Sequence, residues 1–451
     1  MDSLLAISPL DGRYSAVNSE FRSITSEYGL IKYRLLIEVE WFKHLSNTKN
    51  LPEIPNLSIK NIRYLDDLVN KFSIKDANRV KTIEKRTNHD VKAIEYFLKE
   101  KFSNVKSLHK YSEFIHFACT SEDINNLSYS LMIKDASSII DSNIKNISKN
   151  LKQKATKFAN IAMLSRTHGQ TASPTTMGKE FSNFEHRINT INTSVQNIKL
   201  KGKINGAVGN FNAHTIAYPN VNWEVVSKKF IKKLGLEINT HTTQVEPKDS
   251  IAELFSHYVR LNNVLIDLSR DLWGYISLGY FKQKLKKDEI GSSTMPHKVN
   301  PIDFENAEGN LGLANSCFLH LSNSVVISRW QRDLTDSTVM RNIGLCYGHT
   351  NLALYSLLKG LGKLEINKHQ IKHDLDNSWE VITEAIQTVL RKYLIQDGYE
   401  LMKELSRGKQ ITKEDLHKFI DSAKIPSTEK QRLKELSPSS YIGIANKLAK
   451  S

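Results

Sequence analysis

The chain is 451 residues long and carries 63 Lys and Arg against 48 Asp and Glu, a formal net charge of +15. This length allows two or three domains that share a large core. The charge would suit an anionic small substrate, a nucleic acid or an acidic membrane surface. The basic residues are scattered among Asn and Ser, with no long basic run, which favours solvated helix faces over a nucleic-acid-binding stripe.

The cysteines and the N-terminus indicate a reducing compartment. Cys119, Cys317 and Cys346 are far apart and odd in number, so the sequence implies no disulfide framework. The first residues lack a basic region before an apolar one, and no apolar stretch approaches the ~20 residues of a membrane span. We therefore predict a cytoplasmic protein without a membrane partner.

In chain order, the sequence predicts a smaller helical domain at 1–120, a central long-helix bundle at 121–361 and a shorter helical domain at 362–451. Gly360 and Gly362 mark the second boundary, and Thr120, three residues before Asp123, is a capping-box candidate for the first long helix. The segment from Gly202 to Pro219 is predicted to be a loop. β-type alternation is scarce, so the predicted fold class is all-α.

The central domain is predicted from four stretches that contain neither glycine nor proline, at 121–167, 179–201, 248–273 and 313–343. Apolar residues in the second stretch recur at steps of three and four, as in a packed helix stripe: Phe181, Phe184, Ile188, Ile191, Val195 and Ile198. The third stretch has the same spacing. Helices of this length favour a bundle, and their stripes could continue across a subunit interface.

The loop at 291–301 concentrates the most varied polar chemistry of the chain. It reads Gly-Ser-Ser-Thr-Met-Pro-His-Lys-Val-Asn-Pro, and its glycine and prolines argue against a helix. We interpret it as a mobile loop that carries polar side chains into a pocket: Ser292, Ser293, His297, Lys298 and Asn300. The alternative is a polar surface turn, which needs fewer kinds of hydrogen-bonding group.

Five more polar clusters occur, at 87–90, 119–123, 165–170, 242–244 and 328–332, with Ser337 and Arg341 following the last. The cluster around His168 is predicted to end the first long helix. The 119–123 cluster lies at a predicted helix start, where free N–H groups attract anions, and the arginines of the last could bind phosphate or carboxylate.

Each cluster also has a structural interpretation. A lone His89 or His168 is more often a hydrogen-bonded structural residue than a catalyst, and Thr120 could merely cap a helix. The arginines could pair with Asp333 and Asp336. Taken together, the clusters indicate a general acid/base set with anion-binding groups. No zinc, phosphate-loop or nucleophile-elbow spacing is present, and no metal or cofactor is expected.

The loop at 291–301 resembles the signature of the fumarase/aspartase lyase superfamily. The rest of the chain is similar to the bacterial members that act on succinylated purine nucleotides. That similarity is carried by segments 8–14, 87–92, 117–126, 165–170, 203–209 and 328–337. Thr171 and Ala385 depart from the pattern, because prolines are usual at both positions.

The resemblance implies an all-α homotetramer whose central bundle forms the core and whose active sites combine residues of different subunits. It also implies β-elimination of fumarate from adenylosuccinate and from succinylaminoimidazole carboxamide ribotide, two purine-nucleotide precursors, without a cofactor. Ser292 would be the general base and His168 the general acid, with Glu305 orienting the acid. Lys298 would stabilise the charge that develops on the substrate carboxylate.

The resemblance also implies a set of substrate-binding residues: Arg13, Tyr14, Asn88, His89, Asp90, Thr120, Ser121, Gln244, Asn300, Asn306, Arg332, Ser337, Thr338 and Arg341. Of these, six suit a ribose phosphate: Arg13, Tyr14, Asn306, Arg332, Ser337 and Arg341. Argininosuccinate lyase or aspartase chemistry is the alternative within the superfamily, and it should not need a phosphate clamp. A basic RNA-binding or scaffold protein is the alternative outside it, and would bind RNA in a salt-sensitive way.

Overall fold

The structure is a computed structural model that describes residues 3–284, 295, 298–406 and 411–451. The chain folds into two compact units. Unit 1 comprises Met1–Asn143, Ile191–Asn263 and Gly309–Tyr355, and unit 2 comprises Ile144–Thr190, Val264–Glu308 and Ser356–Ser451. Most described residues are helical, which confirms the predicted fold class.

The N-terminal part of unit 1 is a set of short and medium helices: α1 (Ser19–Thr25), α2 (Glu27–Ser46), α3 (Ile59–Asn70), α4 (Ile74–Thr87), α5 (Asp90–Ser103) and α6 (Lys106–His109). Serine N-caps begin three of them, because the hydroxyls of Ser26, Ser58 and Ser73 accept backbone N–H groups one turn into α2, α3 and α4. Short 3-10 turns occur at Ser3–Leu5 and Ser112–Phe114.

The central region contains the long helices. Its helices are α7 (Ser121–Lys157), α8 (Met177–Asn197), α9 (Asn212–Ala217), α10 (Trp223–Lys233), α11 (Asp249–Ser277), α12 (Ile302–Ser324), α13 (Thr335–Met340) and α14 (Ile343–Lys363). The borders between the two units fall within α7, α8, α11, α12 and α14. The stretch at 248–273 is helical from Asp249, and the stretch at 179–201 is helical as far as Asn197. The apolar residues of their stripes, such as Phe181, Ile188 and Phe255, are buried.

The remaining helices follow in unit 2: α15 (Lys368–Asp376), α16 (Thr383–Lys392), α17 (Gly398–Ser406), α18 (Lys413–Ser422), α19 (Ser427–Lys434) and α20 (Ala445–Leu448), with a 3-10 turn at Trp379–Ile382. Ala385 is buried in α16. α14 continues through Gly360 and Gly362 to Lys363. The three-domain division at 120 and 361 stays a prediction.

Three two-stranded sheets occur within the described residues. β1 (Ala162–Thr167) and β2 (Gln170–Thr176) form an antiparallel hairpin, β3 (Lys201–Gly202) and β4 (Glu237–Ile238) are parallel, and β5 (Phe281–Gln283) and β6 (Leu364–Ile366) are antiparallel.

Three of the four helical predictions were too long, and the 179–201 stretch ends in β3. The 121–167 stretch ends in β1 rather than in a helix, and Met163 and Leu164 of this strand are buried. The prediction failed because the absence of glycine and proline allows a strand as well as a helix. The 313–343 stretch is interrupted between α12 and α13, where the Asp333 carboxylate accepts the backbone N–H groups of Arg329 and Thr335. Such local side-chain bonds compete with a helix.

The predicted loop at 202–219 was also partly wrong, because it contains α9. In the described part of the chain, no helix has the length and apolar character that crossing a bilayer requires.

Candidate functional site

A polar cavity of about 590 Å³ lies within unit 1. It is lined by Glu84, Asn88, His89, Asp90, Ser121, Asn125, Gln244, Arg332, Leu334, Ser337, Thr338 and Arg341. All of these except Glu84, Asn125 and Leu334 were predicted from the sequence to bind substrate. Four segments far apart in the chain therefore meet at one cavity.

The junction between α4 and α5 presents His89 to this cavity. Asn88 ends α4 in the left-handed conformation, with φ of 50°, which asparagine tolerates better than most residues. His89 is the N-cap of α5, where its Nδ1 accepts the backbone N–H of Lys92 at 3.2 Å. The ring proton of a neutral His89 therefore lies on Nε2, which is 3.5 Å from the Ser121 hydroxyl.

Asp90 forms ion pairs with two arginines. Its Oδ2 lies 2.8 Å from a guanidinium nitrogen of Arg34 and 2.8 Å from one of Arg341. Burial alone would raise the pKa of Asp90, but Arg34, the Val91 N–H and Arg341 outweigh it and hold the pKa below its usual value. Asp90 is therefore ionised at neutral pH and orients Arg341, which also pairs with Glu27 at 2.7 Å.

The start of α7 is held by a buried carboxylate. The Asp123 carboxylate accepts the Thr120 backbone N–H at 2.8 Å, which is one of the two hydrogen bonds of the predicted capping box. It also accepts the backbone N–H groups of Asn205 and Gly206 and pairs with Lys203 at 3.0 Å. Both charged side chains are fully buried. This network fixes Thr120 and Ser121 against the 203–209 segment.

The same segment positions Gln244. Gly209 has φ of 83°, and a Cβ there would lie 2.3 Å from the Thr242 carbonyl oxygen, so only glycine allows this close approach. The Asn205 amide donates to the Thr242 hydroxyl at 2.8 Å, and the Gln244 amide donates to the Ala207 carbonyl at 3.0 Å.

The arginines of the 328–341 region have different surroundings. Arg332 donates to Gln244 Oε1 at 3.2 Å and lies 3.7 Å from Glu122. Arg329 does not line the cavity and is 80% exposed. It pairs with Asp333 at 3.2 Å, as the structural interpretation of this arginine expects. Asp336, the other acid considered as an arginine partner, instead pairs with Lys248 at 2.7 Å.

A buried ionic cluster that sequence reasoning missed adjoins residues that line the cavity. Lys248 is 3% exposed and contacts Glu122 at 3.3 Å as well as Asp336. Burial raises the pKa of Glu122. Burial alone would lower the pKa of Lys248, but Glu122 and Asp336 outweigh it and raise that pKa. No sequence signal marked Lys248, because its partners are 126 and 88 residues away.

His168 lies in unit 2, at the tip of the β1–β2 hairpin. The prediction that its segment ends a long helix was wrong. His168 and Gly169 have φ of 53° and 74°, the positive values that a tight two-residue hairpin turn requires. Thr171, one of the two departures from the superfamily pattern, pairs with Arg166 across the hairpin and accepts its guanidinium at 3.3 Å.

Glu305, Asn306, Lys298 and Asn300 also belong to unit 2. Glu305 accepts the indole N–H of Trp273 at 3.0 Å, and Asn306 accepts the Ser356 hydroxyl at 2.8 Å. Lys298 is exposed, and Asn300 is partly buried. Ser292, Ser293 and His297 lie outside the described residues.

Arg13 and Tyr14 are not among the residues that line the cavity. The Arg13 guanidinium lies over the Tyr14 ring, 5.7 Å from its centroid. Cys119, near His116, is not an activated thiol, because burial raises its pKa well above the usual value.

Two family models match the chain: "Lyase" at residues 12–314 and "Adenylosuccinate lyase C-terminal" at residues 328–442. The chain is 54% identical over 449 residues to the adenylosuccinate lyase of Buchnera aphidicola subsp. Schizaphis graminum, which covers 99% of this chain and 98% of that protein. It is 52% identical over 446 residues to the Escherichia coli K12 adenylosuccinate lyase, and the match covers 99% of this chain and 98% of that protein. The chain belongs to the adenylosuccinate lyase family.

Solved structures agree with this family assignment at the level of the fold. A fumarate lyase from Mesorhizobium sp. BNC1 superposes with a TM-score of 0.77 at 17% identity, covering 96% of each chain. The 3-carboxy-cis,cis-muconate lactonizing enzyme from Pseudomonas putida gives 0.74 at 17% identity, covering 96% of this chain and 95% of that one. The long helices of this adenylosuccinate lyase family member thus follow the architecture of the wider superfamily.

Proposed function

We propose that the protein catalyses β-elimination of fumarate from adenylosuccinate, giving AMP, and from succinylaminoimidazole carboxamide ribotide, giving the carboxamide ribotide. The observation that carries the proposal is the unit 1 cavity, in which Arg332, Arg341 and Ser337 meet the start of α7. Guanidinium groups are the side chains best suited to a phosphate. The full-length similarity to known adenylosuccinate lyases supports the same substrate.

In the proposed reaction, Ser292 in its deprotonated form takes a proton from the succinyl carbon next to a carboxylate and becomes a neutral hydroxyl. The electron pair forms the carbon–carbon double bond of fumarate while the bond from the neighbouring carbon to nitrogen breaks. His168 protonates the departing nitrogen, and Glu305 orients His168. Charge accumulates on the carboxylate in the transition state, so fixed cations and dipoles stabilise it more than the ground state.

The binding residues divide between the two ends of the substrate. Lys298, Asn300, Thr120, Ser121 and Gln244 bind the succinyl carboxylates. The ribose phosphate is bound by Arg13, Tyr14, Asn306, Arg332, Ser337 and Arg341, and Thr338 also binds substrate. Asn88, His89 and Asp90 line the pocket between them.

Arg341 is supported in its role by the pair it already forms with Asp90, because that carboxylate fixes the direction of the guanidinium. The Nε2 proton of a neutral His89 offers a donor beside Ser121.

We also propose a homotetramer whose sites combine residues of several subunits, in the cytoplasm. Within unit 1, α12 and the residues after it expose Leu313, Leu319, Val326 and Ile327. Exposed large apolar side chains of this kind are typical of surfaces that a second copy covers. Native mass spectrometry should give four chains per particle, and a monomer at micromolar concentration would refute the assembly.

Steady-state assays with adenylosuccinate, argininosuccinate and aspartate test the activity. We expect turnover of adenylosuccinate alone. Turnover of argininosuccinate without turnover of adenylosuccinate would refute the proposed substrate. Salt-sensitive RNA binding without any turnover would favour a basic binding protein instead.

A further inference from the structure

One buried lysine joins three of the segments that line the cavity. Lys248 Nζ lies 2.7 Å from Asp336 and 3.3 Å from Glu122, and it donates to the Glu246 carbonyl at 3.3 Å. Glu122 follows Ser121 in the chain, Asp336 precedes Ser337, and Glu246 lies two residues after Gln244. Each of these partners of Lys248 is therefore a near neighbour of a residue that lines the cavity.

The cluster depends on the positive charge of Lys248. Glu122 is 3% exposed and Asp336 is 9% exposed, so both carboxylates lie in a site that strengthens their mutual repulsion. The backbone of Lys248 has φ of 62°, which is uncommon for a long side chain. Its N–H donates to the Glu246 carboxylate at 2.8 Å, and its side chain enters the cluster from this conformation.

Arg332 connects the cluster to the cavity. One guanidinium nitrogen lies 3.7 Å from Glu122, and another donates to Gln244 at 3.2 Å. While Lys248 neutralises Glu122 and Asp336, Arg332 keeps donors available for a ligand. Without that cation, two carboxylates would draw Arg332 away from the cavity and would repel an anion placed there.

We propose that Lys248 is a positioning residue for the phosphate end of the substrate, acting through Arg332 and Ser337. Lys248 does not line the cavity, so it supports these residues without touching the ligand. The inference rests on the proposed function, because that function assigns Arg332 and Ser337 to the phosphate.

The first test is Lys248→Gln, which keeps length and polarity but removes the charge. We expect the inhibition constant of AMP to rise by about tenfold or more, while kcat falls by less than about threefold. Lys43→Gln is the matched control. Lys43 also holds two carboxylates, Glu40 and Asp66, each at 2.6 Å, and none of the three lines the cavity. Its AMP inhibition constant should stay within about twofold of normal.

Lys248→His supplies a readout that a merely structural residue would not give, and it remains informative if Lys248→Gln does not fold. Histidine tolerates positive φ better than most residues, and two neighbouring carboxylates raise its pKa. AMP should bind nearly normally at pH 6 and progressively more weakly towards pH 8.5. The unmodified enzyme should lack this added titration, because its lysine stays charged.

A double-mutant cycle that combines Lys248→Gln with Arg332→Ala tests whether Lys248 acts through Arg332. If Lys248 acts through Arg332, the losses of AMP affinity in the two single variants will not add in the double variant. Fully additive losses, unchanged AMP affinity in Lys248→Gln, or no added titration in Lys248→His would overturn the inference. Failure of the unmodified protein to cleave adenylosuccinate would instead overturn the proposed function.

Discussion

Lys203 Nζ lies 3.0 Å from Asp123 Oδ1, and neither side chain is exposed to solvent. The Asp123 carboxylate also accepts three backbone N–H groups, from Thr120, Asn205 and Gly206. A carboxylate with these partners is fully satisfied although it is buried, so the pair fixes the start of α7 against the 203–209 segment.

Asp123→Asn should therefore destabilise the protein strongly. The change leaves Lys203 charged and buried without its counterion, at a cost of about 3–5 kcal/mol in the free energy of unfolding. Asp67→Asn is the control, because Asp67 forms an exposed pair with Lys71 and should change stability by at most about 0.5 kcal/mol. Urea unfolding of both variants measures the difference. Equal midpoints would show that the buried pair has no special role.

Arg332→Ala and Arg329→Ala should separate a cavity arginine from a surface arginine. Arg332 lines the cavity and contacts Gln244, whereas Arg329 is exposed and pairs with Asp333. We expect Arg332→Ala to raise KM for adenylosuccinate by about 30-fold or more, because a charge-assisted hydrogen bond to phosphate is lost. Arg329→Ala should stay within about twofold of the unmodified enzyme. Equal KM values for both variants would remove Arg332 from the phosphate site.

His168→Asn should abolish turnover without disturbing the hairpin. Asparagine tolerates the φ of 53° that His168 adopts, so this variant removes the imidazole with little added strain. We expect kcat to fall by about 100-fold or more, as for loss of a general acid, with an unchanged unfolding midpoint. Retention of normal kcat would exclude His168 as the acid.

Mixing His168→Asn with Ser292→Ala tests whether sites combine subunits. If each site takes the two residues from different chains, random reassembly restores roughly a quarter of the normal activity. Native mass spectrometry of isotope-labelled mixtures verifies subunit exchange. Complete exchange without any recovered activity would argue against shared sites.

His214 should make stability depend on pH. It is fully buried beside Trp223 and Phe211, with ring centroids 4.8 and 5.3 Å away, and burial lowers its pKa to about 4. Protonation therefore favours the unfolded chain, whose histidine pKa is about 6.5. The contribution of neutral His214 to the free energy of unfolding is therefore present above about pH 6.5 and is lost as the pH falls. The free energy of unfolding should decrease by about 2 kcal/mol between pH 7.5 and pH 5.

Urea unfolding at the two pH values measures this loss, with His214→Phe as the comparison. The variant keeps an aromatic ring but cannot titrate, so its stability should fall less on acidification. An identical fall in both proteins would assign the pH dependence to other groups.

The long helices were predictable because their apolar stripes repeat with the helical period over many residues. Phe181 and Phe255 are buried as that period requires. The hairpin around His168 was not predictable in the same way, since its six-residue strand contains no breaker and its partner strand begins after only two intervening residues. Residues 162–167 form a strand because they pair with β2, and this pairing cannot be read from either segment alone.

Most residues that line the unit 1 cavity were predictable from the sequence, but the ion pairs around them were not. Local clusters such as Asn88-His89-Asp90 were visible as short polar runs, and the structure brings several of these runs to one cavity. The ion pairs that organise them were not visible. Arg34 and Asp90 lie on different helices, and Lys248 reaches Glu122 and Asp336 only through the tertiary fold.

The central claim is that this protein splits adenylosuccinate into AMP and fumarate. Proton NMR of the purified protein with adenylosuccinate measures both products in one sample. We predict equal amounts of AMP and fumarate that grow as adenylosuccinate disappears, and no arginine from argininosuccinate under the same conditions. Unchanged adenylosuccinate in a sample that converts argininosuccinate would contradict the account.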